Sequence, residues 1–306
     1  MQRGKAGGVS GVRLVALALP YLWLLVFFLV PFLIVARIAL SQAALAQPPY
    51  MPLFAWSEGI SGWWGHLREL SLNGFAALFE DGLYVESLIT SLEIAAISTL
   101  ATLCIAYPMA LAISRTAPKS RHILLMLAIA PFWTSFLIRI YAWVAILKDE
   151  GLLNHALLWL HVITLPLPIF ASPLAVVIGI VYSYLPFMLL PLIHALSGRD
   201  PTLLEAAGDL GATKFTRFWT ITFPLSWPGI RAGALLVFIP AMGEVVIPDL
   251  LGGSDMLMIG KSLWNDFFAN RDWPAASCAA VLLLAVLLAP ILFYQRGETR
   301  GAEAGR

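Results

Sequence analysis

The chain has 306 residues, 60% of them hydrophobic and only 12% charged, with a net charge of +1 and a mean hydropathy of +0.84. A soluble domain gives about a quarter of its residues to charge. A water-soluble enzyme or binding module is therefore excluded, and an integral membrane protein remains.

Apolar runs long enough to cross a bilayer, roughly 20 residues each, occur six times: about 14–40, 84–114, 121–147, 171–196, 227–249 and 273–294. The first follows Arg3, Lys5 and Arg13, and Ala44-Leu45-Ala46 resembles a signal-peptidase site. A run of that length far exceeds a signal h-region of roughly 7–15 residues, so it reads as an uncleaved transmembrane helix. Between the first two runs, residues 41–83 carry Trp63, Trp64, Leu67, Leu70, Phe75, Leu78 and Phe79 at near-helical spacing. This predicts an amphipathic segment at the outer interface. Pro20, Pro31, Pro108, Pro131, Pro186 and Pro240 interrupt the runs, which predicts a kinked all-α bundle. Cys104 and Cys278 read as small core residues, not as a disulfide or metal site.

Basic residues set the orientation. With residues 1–13 inside, most Lys and Arg fall on inside segments, among them Arg115, Lys119, Arg121, Lys214, Arg217, Arg231, Arg296 and Arg300. Both termini then lie in the cytoplasm, the tail 295–306 included, and 41–83 is periplasmic. Most acids fall on the opposite side or within the membrane, Glu86, Glu93, Glu244 and Asp249 among them. Two readings of that skew stand: acids are free to go outside, or they form a vestibule that concentrates cations.

An ionisable group inside a membrane is a functional candidate by default. Glu86 and Glu93 are seven apart, on one face of the second run. Arg139 in the third run reads as an ion-pair partner of Glu86 or Glu93. In the fifth run Pro240 and Gly243 precede Glu244, and Pro248-Asp249 follows. A helix broken there would line an aqueous path, and Glu244 with Asp249 would suit an ammonium group. Tyr141 and Trp143 read either as cation–π faces for that cargo or as interfacial belt residues.

Residues 197–226 form a polar, helix-prone island between the fourth and fifth runs. Asp200-Pro201 is a helix start and Gly211 a stop, with Leu203, Leu204, Ala207 and Leu210 on a largely apolar side. Ala206, Ala207 and Gly208 leave little bulk, so a partner surface can come close. The chain contains no G-x-x-x-x-G-K-[ST] phosphate loop, so energy for pumping has to come from another polypeptide.

Glu205-Ala206-Ala207, then Gly211, Ile221 and Pro224, resembles the EAA-x3-G-x9-I-x-L-P signature of binding-protein-dependent ABC-importer permeases, with Phe223 where the family usually has Leu. Stretches around Leu78–Tyr84, Ala106–Ala110, Pro131–Arg139, Asp149–Asn154, Gly243–Gly253 and Asn270–Ala276 are similar to the spermidine/putrescine permeases. The resemblance implies a type I importer permease with six transmembrane helices, its core at 84–294, in a bacterial inner membrane. It implies that Glu205, Ala206, Ala207 and Gly211 contact a cytosolic ABC ATPase dimer that binds the ATP and Mg; the chain itself would hold no cofactor and catalyse nothing. A second homologous permease, a periplasmic polyamine-binding protein and membrane lipid are the other implied partners, with no nucleic acid. Polyamines are the expected cargo, along a path that includes Glu244, Asp249, Glu86, Glu93, Tyr141 and Trp143. Another small solute (an opine, an amino-acid-like compound, iron or an anion) on the same scaffold, or a stand-alone secondary transporter, are the alternatives.

Overall fold

The computed structural model describes residues 11–53, 66, 69–198, 200, 202–254 and 256–304. The expectations for Arg3, Lys5, Trp63, Trp64, Leu67 and Pro201 lie outside the described residues. The chain divides into two compact units, residues 1–82 with 265–282, and residues 83–264 with 283–306.

In the first unit α1 (Gly11–Leu24) runs through a π-helical turn, Leu25–Leu29, into α2 (Val30–Ala39). Leu22, Trp23, Phe27 and Phe28 all face outward, as expected of a helix solvated by lipid. Strands β1 (Gln42–Ala43) and β2 (Tyr50–Met51) form a small antiparallel hairpin that the hydropathy pattern did not announce. Of the proposed amphipathic segment, Phe75, Leu78 and Phe79 lie on α3 (Asn73–Glu80), with Leu78 buried and Phe79 exposed. The Cys278 thiol donates to the Ala39 carbonyl at 2.9 Å, so this cysteine is a core residue, whereas Cys104 faces outward and is not.

The second unit opens with α4 (Gly82–Ser114). Its buried side is a stripe of small residues, Ser87, Ser91, Ala95, Ser98, Thr102, Ala106 and Ala110, which lets neighbouring helices approach closely in lipid. The stripe's hydroxyls are largely satisfied by backbone. Thr102 Oγ1 donates to the Ser98 carbonyl at 2.6 Å, and Ser91 Oγ accepts the Ile259 N–H at 2.8 Å.

The third apolar run is not one straight span. Helix α5 (Pro118–Ile129) tightens into a 3₁₀ turn, Ala130–Trp133, and α6 (Phe136–Leu147) and α7 (Leu152–Trp159) follow; the two arms bend by 88°. Thr134 is extended and ends the first arm, and its N–H and Oγ1 donate to the Pro131 carbonyl at 3.3 and 2.7 Å. Arg139 adds a further donor to the same carbonyl. Its Nη1 donates to the Pro131 carbonyl at 3.0 Å and its guanidinium lies 4.4 Å from the Phe132 ring centroid. The expected ion pair with Glu86 or Glu93 does not form. The break instead turns the Pro131 carbonyl and the Phe132 face toward the arginine.

Helix α8 (Pro173–Ser197) is the hub of this unit. After the island come α9 (Thr202–Asp209), α10 (Lys214–Arg217), a π turn Phe218–Thr222, α11 (Phe223–Leu225) and α12 (Trp227–Met242). The two π turns of the chain's described residues each end two residues before a proline, Pro31 and Pro224. A proline lacks the N–H that would continue the i→i−4 ladder. Helix α12 packs on α8 through Gly229 and Gly233, a small-xxx-small pair. A Cβ on Gly229 would sit 2.7 Å from the Pro191 carbonyl oxygen. Helices α13 (Val246–Leu251), α14 (Ile259–Phe268) and α15 (Trp273–Ala304) complete the order. One core cluster joins Ile140, Val176, Ile180, Met242, Ile247 and Met258, and a second joins Tyr107, Met188, Leu192, Ile230 and Val237.

Among the described residues, four continuous helices are long and apolar enough to cross a membrane, Ala18–Ala39, Gly82–Ser114, Pro173–Ser197 and Trp273–Leu292; counting each of the two bent pairs as one span raises the number to six.

Candidate functional site

Two regions carry the chemistry singled out in the sequence: the α8–α12 island and the polar positions around α4 and α13.

On the island, Asp200 Oδ1 accepts the Thr202 N–H at 3.0 Å. That backbone hydrogen bond holds the Asp200 carboxyl below its usual range and starts α9 as an N-terminal cap does. The helix stops in a Schellman arrangement. The Ala212 N–H donates to the Ala207 carbonyl and the Gly211 N–H to the Gly208 carbonyl, both at 2.9 Å. Gly211 takes φ of +81°, a left-handed conformation that glycine adopts without a Cβ penalty. The sequence motif is thus also a structural stop. Helix α9 shows two faces. Leu204, Ala207 and Gly208 turn partly inward, while Leu203, Glu205 and Ala206 are exposed, followed by Leu210 at 89% exposure. Of the small residues expected to admit a partner, Ala206 is the open one. Gly208 lies instead against the guanidinium of Arg217.

Around α4, Glu86 and Glu93 line a cavity of about 490 Å³ together with Ser87, Thr90, Met256 and Leu257. Both carboxylates are exposed to it. They lie two turns apart, about 10.5 Å along the axis.

Glu244 is placed differently. It sits in the break between α12 and α13 with only 8% of its surface exposed. Tyr184 Oη donates to its Oε2. Its Oε1 accepts the Val246 N–H at 3.1 Å and the Ile247 N–H at 3.4 Å. The carboxylate therefore caps the start of α13 and does not line the cavity. Asp249 does not face Glu244 either; its Oδ1 meets Lys261 Nζ at 3.3 Å. Tyr141 and Trp143 are two residues apart on α6, so the helix turns them to different sides. Tyr141 is exposed, whereas Trp143 packs edge-on against Tyr182 at 5.4 Å. Of the six residues expected along the cargo path, the cavity gathers Glu86 and Glu93.

Three contributors were not singled out as site residues in the sequence. Tyr184 lies sixty residues from Glu244, and Lys261 lies on the helix after that of Asp249. Asn154 is buried and clamps the following loop, with Nδ2 donating to the Leu167 carbonyl at 3.0 Å and Oδ1 accepting the Leu167 N–H at 2.9 Å.

Residues 95–295 match the family described as binding-protein-dependent transport system inner membrane component. The spermidine/putrescine transport system permease protein PotB of Escherichia coli (strain K12) is 46% identical over 218 residues, 71% of this chain and 79% of that protein. PotB of Haemophilus influenzae is 37% identical over 284 residues, 93% of each chain. Among solved structures, the bacterial alginate ABC transporter in complex with its alginate pentasaccharide-bound periplasmic protein superposes with a TM-score of 0.71 over 94% of each chain at 17% identity, a likeness of fold alone. The chain therefore belongs to the binding-protein-dependent transport system inner membrane components, as an ABC-importer permease of the spermidine/putrescine, PotB-like kind.

Proposed function

We propose that the chain forms part of the translocation path by which polyamines enter the cytoplasm of a bacterium. The observation that carries this reading is the likeness to permeases named for spermidine and putrescine, in one case along nearly the whole of both chains. The cavity beside α4 supports it. Two carboxylates about 10.5 Å apart along a helix suit an extended polyamine better than a compact monovalent cation, and an unpaired carboxylate in such a cleft attracts cations by its field. As a permease subunit the chain is non-catalytic, and ATP hydrolysis belongs to a separate subunit.

In this reading both termini lie in the cytoplasm and six spans cross the inner membrane. The exposed face of α9, with Leu203, Glu205, Ala206 and the following Leu210, docks on a cytosolic ATPase dimer, and Gly211 ends the docked helix. A second permease completes the pore and a periplasmic binding protein delivers the cargo. ATP binding closes the ATPase pair, α9 moves with it, and the bundle rocks to admit cargo. Hydrolysis and product release reset it.

The test is uptake into proteoliposomes holding the chain with its ATPase, partner permease and binding protein. Labelled spermidine, labelled putrescine and a labelled anionic solute are offered with ATP inside. ATP-dependent uptake of a polyamine supports the reading; uptake of the anion alone overturns it.

A further inference from the structure

We propose that Arg217 is the positioning residue that makes the α9 helix a stiff lever, by occupying the space that Gly208 leaves empty. This deepens the functional reading above and rests on α9 being the element that docks on the ATPase.

Helix α9 has only eight residues. A helix that short is marginal on its own and cannot transmit force unless something holds it. Gly208, near its end, also weakens it. Arg217 supplies the hold. Its Nη1 donates to the Leu204 carbonyl at 3.2 Å. A Cβ built on Gly208 would come within 3.0 Å of the same Nη1 and 3.7 Å of Cζ. The guanidinium thus lies across the inward face of α9, where any larger residue at 208 would stand. The contact also puts a cation in the second half of the helix, the favourable end of its dipole.

The other side of Arg217 is fixed to the membrane bundle. Phe218, the next residue, packs edge-on against the Tyr107 ring at 5.8 Å. Tyr107 Oη shares a buried hydrogen bond with Ser226 Oγ at 3.0 Å. Tyr107 belongs to α4, the helix that carries Glu86 and Glu93, and Ser226 immediately precedes α12. Displacement of α9 is therefore passed through Arg217 to α4, which lines the cavity, and to the start of α12, and not taken up in the loop between α9 and α10.

The test uses the complete importer in proteoliposomes and reads solute transported per ATP hydrolysed, together with ATPase stimulation by the loaded binding protein. Arg217→Ala is expected to keep ATPase activity and to lower the transport ratio roughly tenfold, the scale of one lost charge-assisted hydrogen bond. Arg217→Lys restores part of the ratio, because a cation still reaches the Leu204 carbonyl. Gly208→Leu displaces the guanidinium without removing it and lowers the ratio similarly. The double variant is no worse than either single one, since both break one contact. A normal ratio in Arg217→Ala, or single-variant losses that multiply in the double variant, overturns the inference. Crosslinking of Glu205→Cys to the ATPase checks the docking reading separately, and the wild-type uptake assay checks the polyamine reading.

Discussion

Tyr184 and Glu244, sixty residues apart, meet at the break between α12 and α13, where the tyrosine hydroxyl donates to the buried carboxylate. The same carboxylate accepts two backbone N–H groups of α13. An acid that sequence reasoning assigned to cargo is thus satisfied entirely from within the chain, and its geometry is that of a cap on a broken helix. Glu244→Ala leaves the Val246 and Ile247 N–H groups and the Tyr184 hydroxyl without their acceptor, each worth about 1–3 kcal/mol when buried. The variant is expected to unfold several degrees lower in a thermal scan of the detergent-solubilised protein. Glu244→Gln, which keeps an acceptor oxygen, is expected to lose less than half as much. A residue whose only task was to touch cargo would leave the melting temperature of the empty protein unchanged.

The Asp249–Lys261 pair is lopsided, with side-chain exposures of 58% and 15% respectively. Removing the exposed partner strands a largely buried ammonium, whereas removing the buried one leaves a carboxylate in reach of water. Asp249→Ala is therefore expected to destabilise by about 2 kcal/mol and Lys261→Met by under about 0.5 kcal/mol. Denaturation of each variant in the same detergent measures the asymmetry, and equal losses would contradict it.

Glu86 and Glu93 line one cavity from one helix face. If polyamines pass there as proposed, a long triamine reaches both carboxylates and a short diamine only one. Glu86→Gln and Glu93→Gln are each expected to raise the KM for spermidine uptake about tenfold, the scale of one charge-assisted contact, and that for putrescine by less. Uptake kinetics with both cargoes give the comparison, and equal shifts for the two would remove the two-point geometry.

Gly229 and Gly233 both bring α12 against α8, but they meet different atoms. The Cβ at 229 would lie 2.6 Å from the Ala195 Cβ and 2.7 Å from the Pro191 carbonyl oxygen, neither of which can rotate away, while the one at 233 would meet the movable sulfur of Met188 at 2.6 Å and backbone only at 3.2 Å. Gly229→Ala is expected to cost about 1–3 kcal/mol from overpacking, and Gly233→Ala about half of that or less. Thermal scans rank the two, and a larger loss at 233 would reverse the assignment.

Much of the site's chemistry was legible along the chain for a physical reason. The Glu205–Gly211 motif encodes a local structure, since a cap, a small-residue helix and a left-handed glycine all act within a dozen residues. The apolar runs likewise encode their own helices, because in lipid each backbone must satisfy itself within the segment. Arg139 shows where such reading stops. As a lone intramembrane cation it pointed to an acid, but its partner is the Pro131 carbonyl at a bend that hydropathy does not register.

By itself, then, the sequence determined that this is a membrane chain, which segments are helical in lipid, and where the short helix α9 begins and ends. Only the tertiary structure decided which ionisable groups are satisfied within the chain and which stay open. Glu244, Asp249, Glu86 and Glu93 are the same chemistry in the same kind of apolar setting. What separates them is that Tyr184, the α13 backbone and Lys261 reach the first two, while the cavity leaves the other pair open. The α13 N–H groups are local to Glu244, but Tyr184 on α8 and Lys261 on α14 come from other helices, and their approach depends on how closely the helices pack, a property no single segment contains.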